Sequence, residues 1–295
     1  MVKRFTFFFF KFIVFLNFLF FKITKRNFLF YLKQFLREDS YQTIKILGQN
    51  VSFFVPNSLT KWRVDSFFSK EPETLEWIDN FENGGGGKKI TFWDIGGNIG
   101  LYSIYAAVKH QNIDVTTFEP STNNLQTLSR NISINNLNEK IKICQLPLTD
   151  KNNSFLMMKE SSLEEGGALN VFGENFDYEG NKFTEKNSYK IYGTSINYLL
   201  DNKILETPDY IKIDVDGIEH LILRGFDKHL RNSKIKSLSI EINENFIEQH
   251  SKILNIMKIN NFKILHKKHN DKLFDKNSKF SKIFNYVFIK KIANI

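Results

Sequence analysis

The stretch "ITFWDIGGNIGLYSIYAA", residues 90–107, ends an apolar run on Asp94 and then sets Gly96, Gly97, Asn98 and Gly100 ahead of an apolar-rich helical pattern. Glycines so placed leave a turn with no side chains over it, against which a ligand can lie closely. The dinucleotide fingerprint G-x-G-x-x-G, started at Gly96, needs glycines at positions 98 and 101, where this chain has Asn98 and Leu101. The Gly-Lys-Ser/Thr ending of a triphosphate-binding loop is missing as well. A second acid, Glu119 in "FEP", closes the next apolar run, where a carboxylate can accept both hydroxyls of a ribose.

An acid ahead of a bare glycine turn suits a ligand with positive charge and little phosphate. S-adenosylmethionine has that chemistry: an ammonium, a sulfonium and no phosphate. Asp94 can hold the ammonium side directly or through water, and the glycine backbone lets the methionyl part approach. Further on, "IKIDVDGIEHLILRG" (211–225) brings Asp214 and Asp216 to a strand end, turns at Gly217 and enters a helix with Glu219. Carboxylates there can act as general base toward an acceptor hydroxyl. They can also hold a divalent metal through oxygens, or cap the helix that follows. Glu241, at the end of "SLSIEI", is another candidate base. His220 is one more, with a surface residue as its plainer reading; His266 and His269 read as exposed.

These residues need a scaffold that gathers strand ends. From residue 90, apolar strand runs alternate with helices: strands "KITFWDI", "DVTTFEP" and "KIKICQL", with helices over 99–109 and 122–135. The rhythm breaks over 150–193, read as an insertion over one end of a sheet. It resumes with helices over 195–203, 218–224 and 245–259 and strands "YIKIDV", "KSLSIEI", "FKILHK" and "FNYVFIK". Such alternation gives an α/β fold, a parallel sheet covered on both faces. Upstream, 41–70 reads as short strands and turns, 71–81 as a helix, and the four glycines at 84–87 as a linker. The expected organisation is an N-terminal segment over 1–40, an extension and linker over 41–88, and a main domain over 89–295.

Taken together, "FWDIGGNIGLYS", "TFEPSTNNLQTLSRNISINN", "IKIDVDGIEHLILRG" and "SLSIEINEN" resemble the FkbM-type S-adenosylmethionine-dependent methyltransferases across roughly residues 90–245. The resemblance implies a Rossmann-like class I methyltransferase fold with a seven-stranded, mostly parallel sheet, and methylation of a hydroxyl oxygen. It places Asp94, Gly96, Gly97, Asn98, Gly100 and Glu119 at the cofactor, and Asp150 near the adenine. Two departures are visible. Gly97 stands where many relatives carry Ala, and Asn197 in "TSINYLL" stands where Asp is typical. The expected acceptor bears a hydroxyl, as on a glycan, a lipid-linked saccharide or a small metabolite. Two rival readings remain: a metal-dependent glycosyltransferase using Asp214-Val-Asp216, and an inactive membrane-surface binding protein on the same fold.

Composition narrows the partners. Residues 1–40 hold eight Lys and Arg against two acids, so most of the formal charge of +9 sits there and the body is nearly balanced. That argues against a broad nucleic-acid-binding face. Phe is over-used at 31 residues, a bias that A/T-rich codons alone can produce. The single Cys144 excludes a disulfide framework and reads as an apolar strand filler. In "FTFFFFKFIVFLNFLFF" (5–21), fourteen of seventeen residues are strongly apolar. Lys11 costs about 2.5–3.5 kcal/mol on insertion scales, and the apolar residues return about 4–8 kcal/mol. Drawn as a helix, Arg4, Lys11, Lys22, Lys25 and Arg26 share one side, the pattern of a helix lying in an anionic interface. A membrane surface engaged by residues 1–35, a true span, and a helix docked on the protein all remain open. No small-residue cleavage site follows. Because the methyl donor is cytosolic, the expected location is cytoplasmic, on the cytosolic face of a membrane.

Overall fold

The computed structural model describes residues 1–82, 88–269, 278 and 280–291; the four-glycine run read as a linker lies outside them. The chain opens with a helical hairpin, α1 (Val2–Thr24) and α2 (Phe28–Glu38), reversed at Lys25, which takes a left-handed conformation. Asn17 Oδ1 accepts the Leu29 backbone N–H across the hairpin at 2.9 Å. No residue of α1 is buried. Docking on the body therefore does not cover its phenylalanines.

A β-hairpin follows, β1 (Tyr41–Ile46) against β2 (Gln49–Phe54), and then three short helices: α3 (Ser58–Asp65), α4 (Phe67–Lys70) and α5 (Pro72–Asp79). The helices over 58–70 correct the expectation of strands and turns. Their aromatic and β-branched residues mimic a strand, but Asn57 Oδ1 accepts the Leu59 and Thr60 N–H groups and Thr60 Oγ1 accepts the Asn57 N–H. That reciprocal cap starts α3.

The main sheet is built from β3 (Ile90–Ile95), β4 (Ile113–Phe118), β5 (Ile141–Cys144), then β9 (Tyr210–Ile213), β10 (Ser237–Asn243), β11 (Phe262–Lys268) and β12 (Ile283–Lys290). Between β5 and β9 the chain forms a separate antiparallel sheet of β6 (Ser154–Glu160), β7 (Val171–Phe172) and β8 (Asn187–Gly193). The connecting helices are α6 (Leu101–Lys109), α7 (Thr122–Ile134), α8 (Ile196–Asp201), α9 (Glu219–Arg224) and α10 (Ile247–Ile259). Strand order is β11-β12-β10-β9-β3-β4-β5. β10, β9, β3, β4 and β5 run parallel, and β12 lies antiparallel to both neighbours. The chain steps from β3 outward through β4 and β5, then returns to the other side of β3 as β9. That reversal makes the C-terminal edge of β3 the switch point where ligands bind.

Alternation along each strand sorts the core. Trp93, Ile95, Ile211, Ile213, Leu238 and Ile240 pack on one face with Ile222 of α9 and Ile253 of α10. Phe92 and Val115 pack on the other with Ile104 of α6 and Leu128 of α7. Phe53, Phe67, Trp77 and Ile78 join this second cluster, so residues 41–81 share the main domain's core. Each such side chain contributes about 1.5–3 kcal/mol by leaving water. Trp77 Nε1 also donates to Ser237 Oγ at 2.9 Å, and Phe81 stacks on Tyr210 with ring centroids 3.9 Å apart. The segment that carries Arg63, Lys70 and Glu71 is thereby fixed against the sheet.

Candidate functional site

The glycine turn sits at the switch point. Gly96 and Gly97 both donate to the Phe118 carbonyl, at 2.9 and 3.0 Å, which ties the turn to the end of β4. Gly96 (φ +90°) and Gly100 (φ +89°) occupy the left-handed region, where glycine alone is free of strain. Space is restrictive too: a Cβ on Gly96 would lie 1.8 Å from the Asp214 carbonyl oxygen, and one on Gly97 would lie 2.0 Å from Thr117 Oγ1. Below the turn, buried Asp94 accepts the Ser103 hydroxyl through Oδ2 at 2.6 Å, while its Oδ1 and Thr117 Oγ1 have no partner among the described residues. Burial raises the Asp94 pKa, against the pull of Lys212.

Glu119 binds backbone on both sides of the turn: Oε2 accepts the Asn98 N–H and Oε1 the Ser121 N–H, each at 2.8 Å. Burial nonetheless pushes its pKa to about 8. A cavity of about 590 Å³ runs from Glu119 across Gly96 and Asn98 to Asp214 and Asp216, with Leu148 and Met158 among its apolar walls. The predicted insertion covers it. Gly167 O accepts Asn98 Nδ2 (2.8 Å) and Asn124 Nδ2 (3.0 Å), and Asp216 Oδ2 accepts the Leu169 N–H at 2.7 Å. Asp216 is itself held in the left-handed region (φ 62°). Burial and the Asp214 charge raise its pKa to about 6.

On the other side of the turn lies a charged row, buried at Lys212 and Glu71 and half-buried at Lys70, Asp214 and Glu241. Lys212, only 1% exposed, registers beside Asp94 and holds Asp214 Oδ2 at 2.5 Å, with its ammonium 4.9 Å from the centre of the Tyr102 ring. Burial opposes the charge of Lys212, but Asp214, Glu71 and Asp94 outweigh it and raise its pKa. Glu71 pairs with Lys70 at 2.5 Å; despite burial, Lys70 and Lys212 hold its carboxyl well below the usual range. Burial and the neighbouring Asp214 carboxylate raise Glu241 well above it. The carboxylate oxygens of Glu71, Asp214 and Glu241 converge within 4.8 Å of one another, a spacing that suits a divalent cation. Lys70 and Lys212 already bring positive charge to that place. Asp216 is outside this group, although it lines the first cavity together with Asp214.

The sequence candidates therefore divide. Gly96, Asn98, Glu119, Asp214 and Asp216 line the first cavity; Gly97 faces a second cleft; Gly100 caps α6; Asp94 supports the turn from below. Asp150 pairs with Arg224 and accepts the Thr149 hydroxyl, and it is not in the cavity lining. Glu219 braces the turn, accepting the Val215 and Gly217 N–H groups and Gln249 Nε2. His220 is buried rather than on the surface, packed near Phe176 and Phe246, and burial lowers its pKa to about 4. Sequence reasoning missed Arg63, Lys70, Glu71 and Lys212. A lysine inside the central strand "YIKI" was the one available signal, because a strand covered on both faces must pair it.

The bare glycine turn, the unpartnered acceptor of Asp94 and the carboxylate of Glu119 fit a cationic adenosine derivative, and comparison with known proteins agrees. Residues 94–264, more than half of the chain, match the family described as Methyltransferase FkbM domain. Methyltransferase sdnD of Sordaria araneosa is 28% identical over 154 residues, which cover 46% of this chain and 60% of that protein. The chain thus spans less than two thirds of that relative's length. Among solved structures, a putative S-adenosylmethionine-dependent methyltransferase from Streptococcus mutans aligns over 85% of this chain and 55% of its own, with TM-score 0.47 and 11% identity. A putative rRNA methylase from Clostridium thermocellum aligns over 76% and 96%, with TM-score 0.45 and 9% identity. The chain belongs to the FkbM methyltransferase domain family.

Proposed function

We propose that the enzyme methylates a hydroxyl oxygen of a glycan, lipid-linked saccharide or small metabolite at the junction marked by Asp214. One observation carries the reading: Asp214 lines both the cavity beside Glu119 and the cleft beyond the glycine turn. A group entering from the second side meets a carboxylate at the boundary with the donor. S-adenosylmethionine supplies an already activated methyl group, so the chain's task is alignment, exclusion of water and acceptance of a proton. Gly96, Asn98 and Glu119 would hold the donor, and Asp214 is the base that accepts the hydroxyl proton at an Oδ atom. Lys212 orients Asp214 through its ion pair. Glu241 has a raised pKa and is suited to keeping a proton and donating a hydrogen bond. The segment over 161–170 closes over the cavity and limits water.

The test is transfer of labelled methyl from S-adenosylmethionine to pooled hydroxyl-bearing acceptors, comparing wild type with Asp214→Asn. Alkali-stable methyl ether in the product, lost in the variant, supports O-methylation. Label found on nitrogen, sulfur or carbon contradicts it. Chelator treatment that abolishes transfer would instead favour a divalent cation at Glu71, Asp214 and Glu241.

The location belongs to the same proposal. Helix α1 has the length and mean hydropathy (1.9) to cross a membrane, none of it is buried, and its basic residues share one side. These features favour attachment to an anionic cytosolic membrane face. Flotation with anionic vesicles checks it: the intact chain should float, and one with Phe8, Phe12 and Phe15 changed to Ser should remain below.

A further inference from the structure

Arg63 lies outside the stretch that matches the family, yet it stands at the glycine turn. It comes from α3 and, with Lys70, lines a cleft of about 450 Å³ whose floor is Gly96, Gly97 and Asn98. The cleft begins where the first cavity ends, since both share Gly96, Asn98 and Asp214. Arg63 donates through Nε to the Gly166 carbonyl at 2.6 Å, which anchors the guanidinium to the insertion. Its terminal nitrogens have no hydrogen-bond partner among the described residues. The two cations of the cleft differ in this respect, because Lys70 is paired with Glu71 at 2.5 Å.

A ligand whose adenosine lies beside Glu119 must carry its amino-acid end across Gly96 into this cleft, where Arg63 offers a planar pair of donors suited to a carboxylate. We infer that Arg63 is the subsite for the α-carboxylate of S-adenosylmethionine, so that the segment before the methyltransferase domain completes the donor site. This rests on the reading of the glycine turn as the donor cradle. It assigns the Arg63 guanidinium, whose charge also acts on Glu119 and Asp216, to the donor, and leaves the paired Lys70 and Glu71 to the acceptor side.

The test is calorimetric titration of the full chain with S-adenosylmethionine and with its decarboxylated form, which lacks only the carboxylate. Wild type should prefer the carboxylated ligand by about 10–100-fold, the range for a hydrogen bond to a charged group. Arg63→Gln should remove that preference while leaving affinity for the decarboxylated ligand unchanged, and Arg63→Lys should recover part of it. Equal weakening of both ligands in Arg63→Gln assigns Arg63 to holding Gly166 and overturns the subsite. So does a preference that survives the substitution. Failure of wild type to bind either ligand overturns the donor cradle itself, and the subsite with it.

Discussion

The two sides of the glycine turn are built differently. The cavity beside Glu119 comes largely from consecutive strand ends and the insertion, with apolar walls and carboxylates held by backbone N–H groups. The cleft beyond Gly97 is lined by side chains from α3, α4 and α6, beside a largely sheltered row of two lysines and three acids. One side is shaped by main chain and suits the donor's adenosine; the other is shaped by charge, with Arg63 placed for the donor's carboxylate and the Lys70–Glu71 pair left to the acceptor. The difference teaches where substitutions should separate binding from chemistry.

The sharpest separation is expected at Asp214. Asp214→Asn should lower methyl transfer by about 10²–10⁴-fold, the usual contribution of a positioned base. Affinity for S-adenosylhomocysteine, measured by calorimetry, should stay within about threefold of wild type, because main chain and Glu119 hold that side. Gly96→Ala should do the reverse. Its Cβ would collide with the Asp214 carbonyl at 1.8 Å and its φ of +90° disfavours any side chain. Cofactor affinity should fall by at least about 100-fold, consistent with the strain of a misplaced Cβ.

A smaller effect, on stability, is expected at Lys212. Lys212→Met leaves half-buried Asp214 and buried Glu71 beside each other with one counter-charge fewer. Breaking such an arrangement from one side costs about 3–5 kcal/mol, readable in urea unfolding. Were the loss below about 1 kcal/mol, the charged row would be solvated rather than buried.

The first side was legible in the sequence and the second mostly was not. A glycine turn, the acid before it and the acid ending the next strand are local signals, as are the strand–helix alternation and the acids after "YIKI". Arg63 and Lys70–Glu71 reach the site through packing of Phe67 and Trp77 on a sheet formed by residues far along the chain. No local spacing encodes that meeting. Helix α3 was hidden by Trp62 and Val64, which read as strand, although Asn57 and Thr60 were a legible cap. Asp150, which the family resemblance placed near the adenine, pairs with Arg224 on α9, a contact that local spacing does not encode.

The smallest expected effect is a pH dependence that again divides the two sides. Glu119, Glu219 and Asp216 have folded pKa values near 8, 7 and 6, above their ordinary values of 4.5, 4.5 and 3.8. Between each ordinary value and the folded one, the native state binds more protons than the unfolded state, so these groups make stability fall as pH rises. Glu71, held low, contributes the opposite way: its stabilisation is present above its ordinary pKa and is lost as pH falls toward the folded value. Unfolding of the cofactor-free protein between pH 5 and 8 should show Glu119→Gln flattening the decline by about 1 kcal/mol per pH unit, close to the limit for one group. A slope unchanged by that substitution would mean that Glu119 is already ionised in the folded protein.

The most direct measurement is calorimetric titration of S-adenosylhomocysteine into wild type and Glu119→Ala. One site per chain on wild type, weakened at least about tenfold in the variant, is the expected result, given the cost of losing a buried hydrogen-bond partner. Absence of binding to wild type, or equal affinity in the two proteins, would contradict the glycine turn and Glu119 as the donor's cradle.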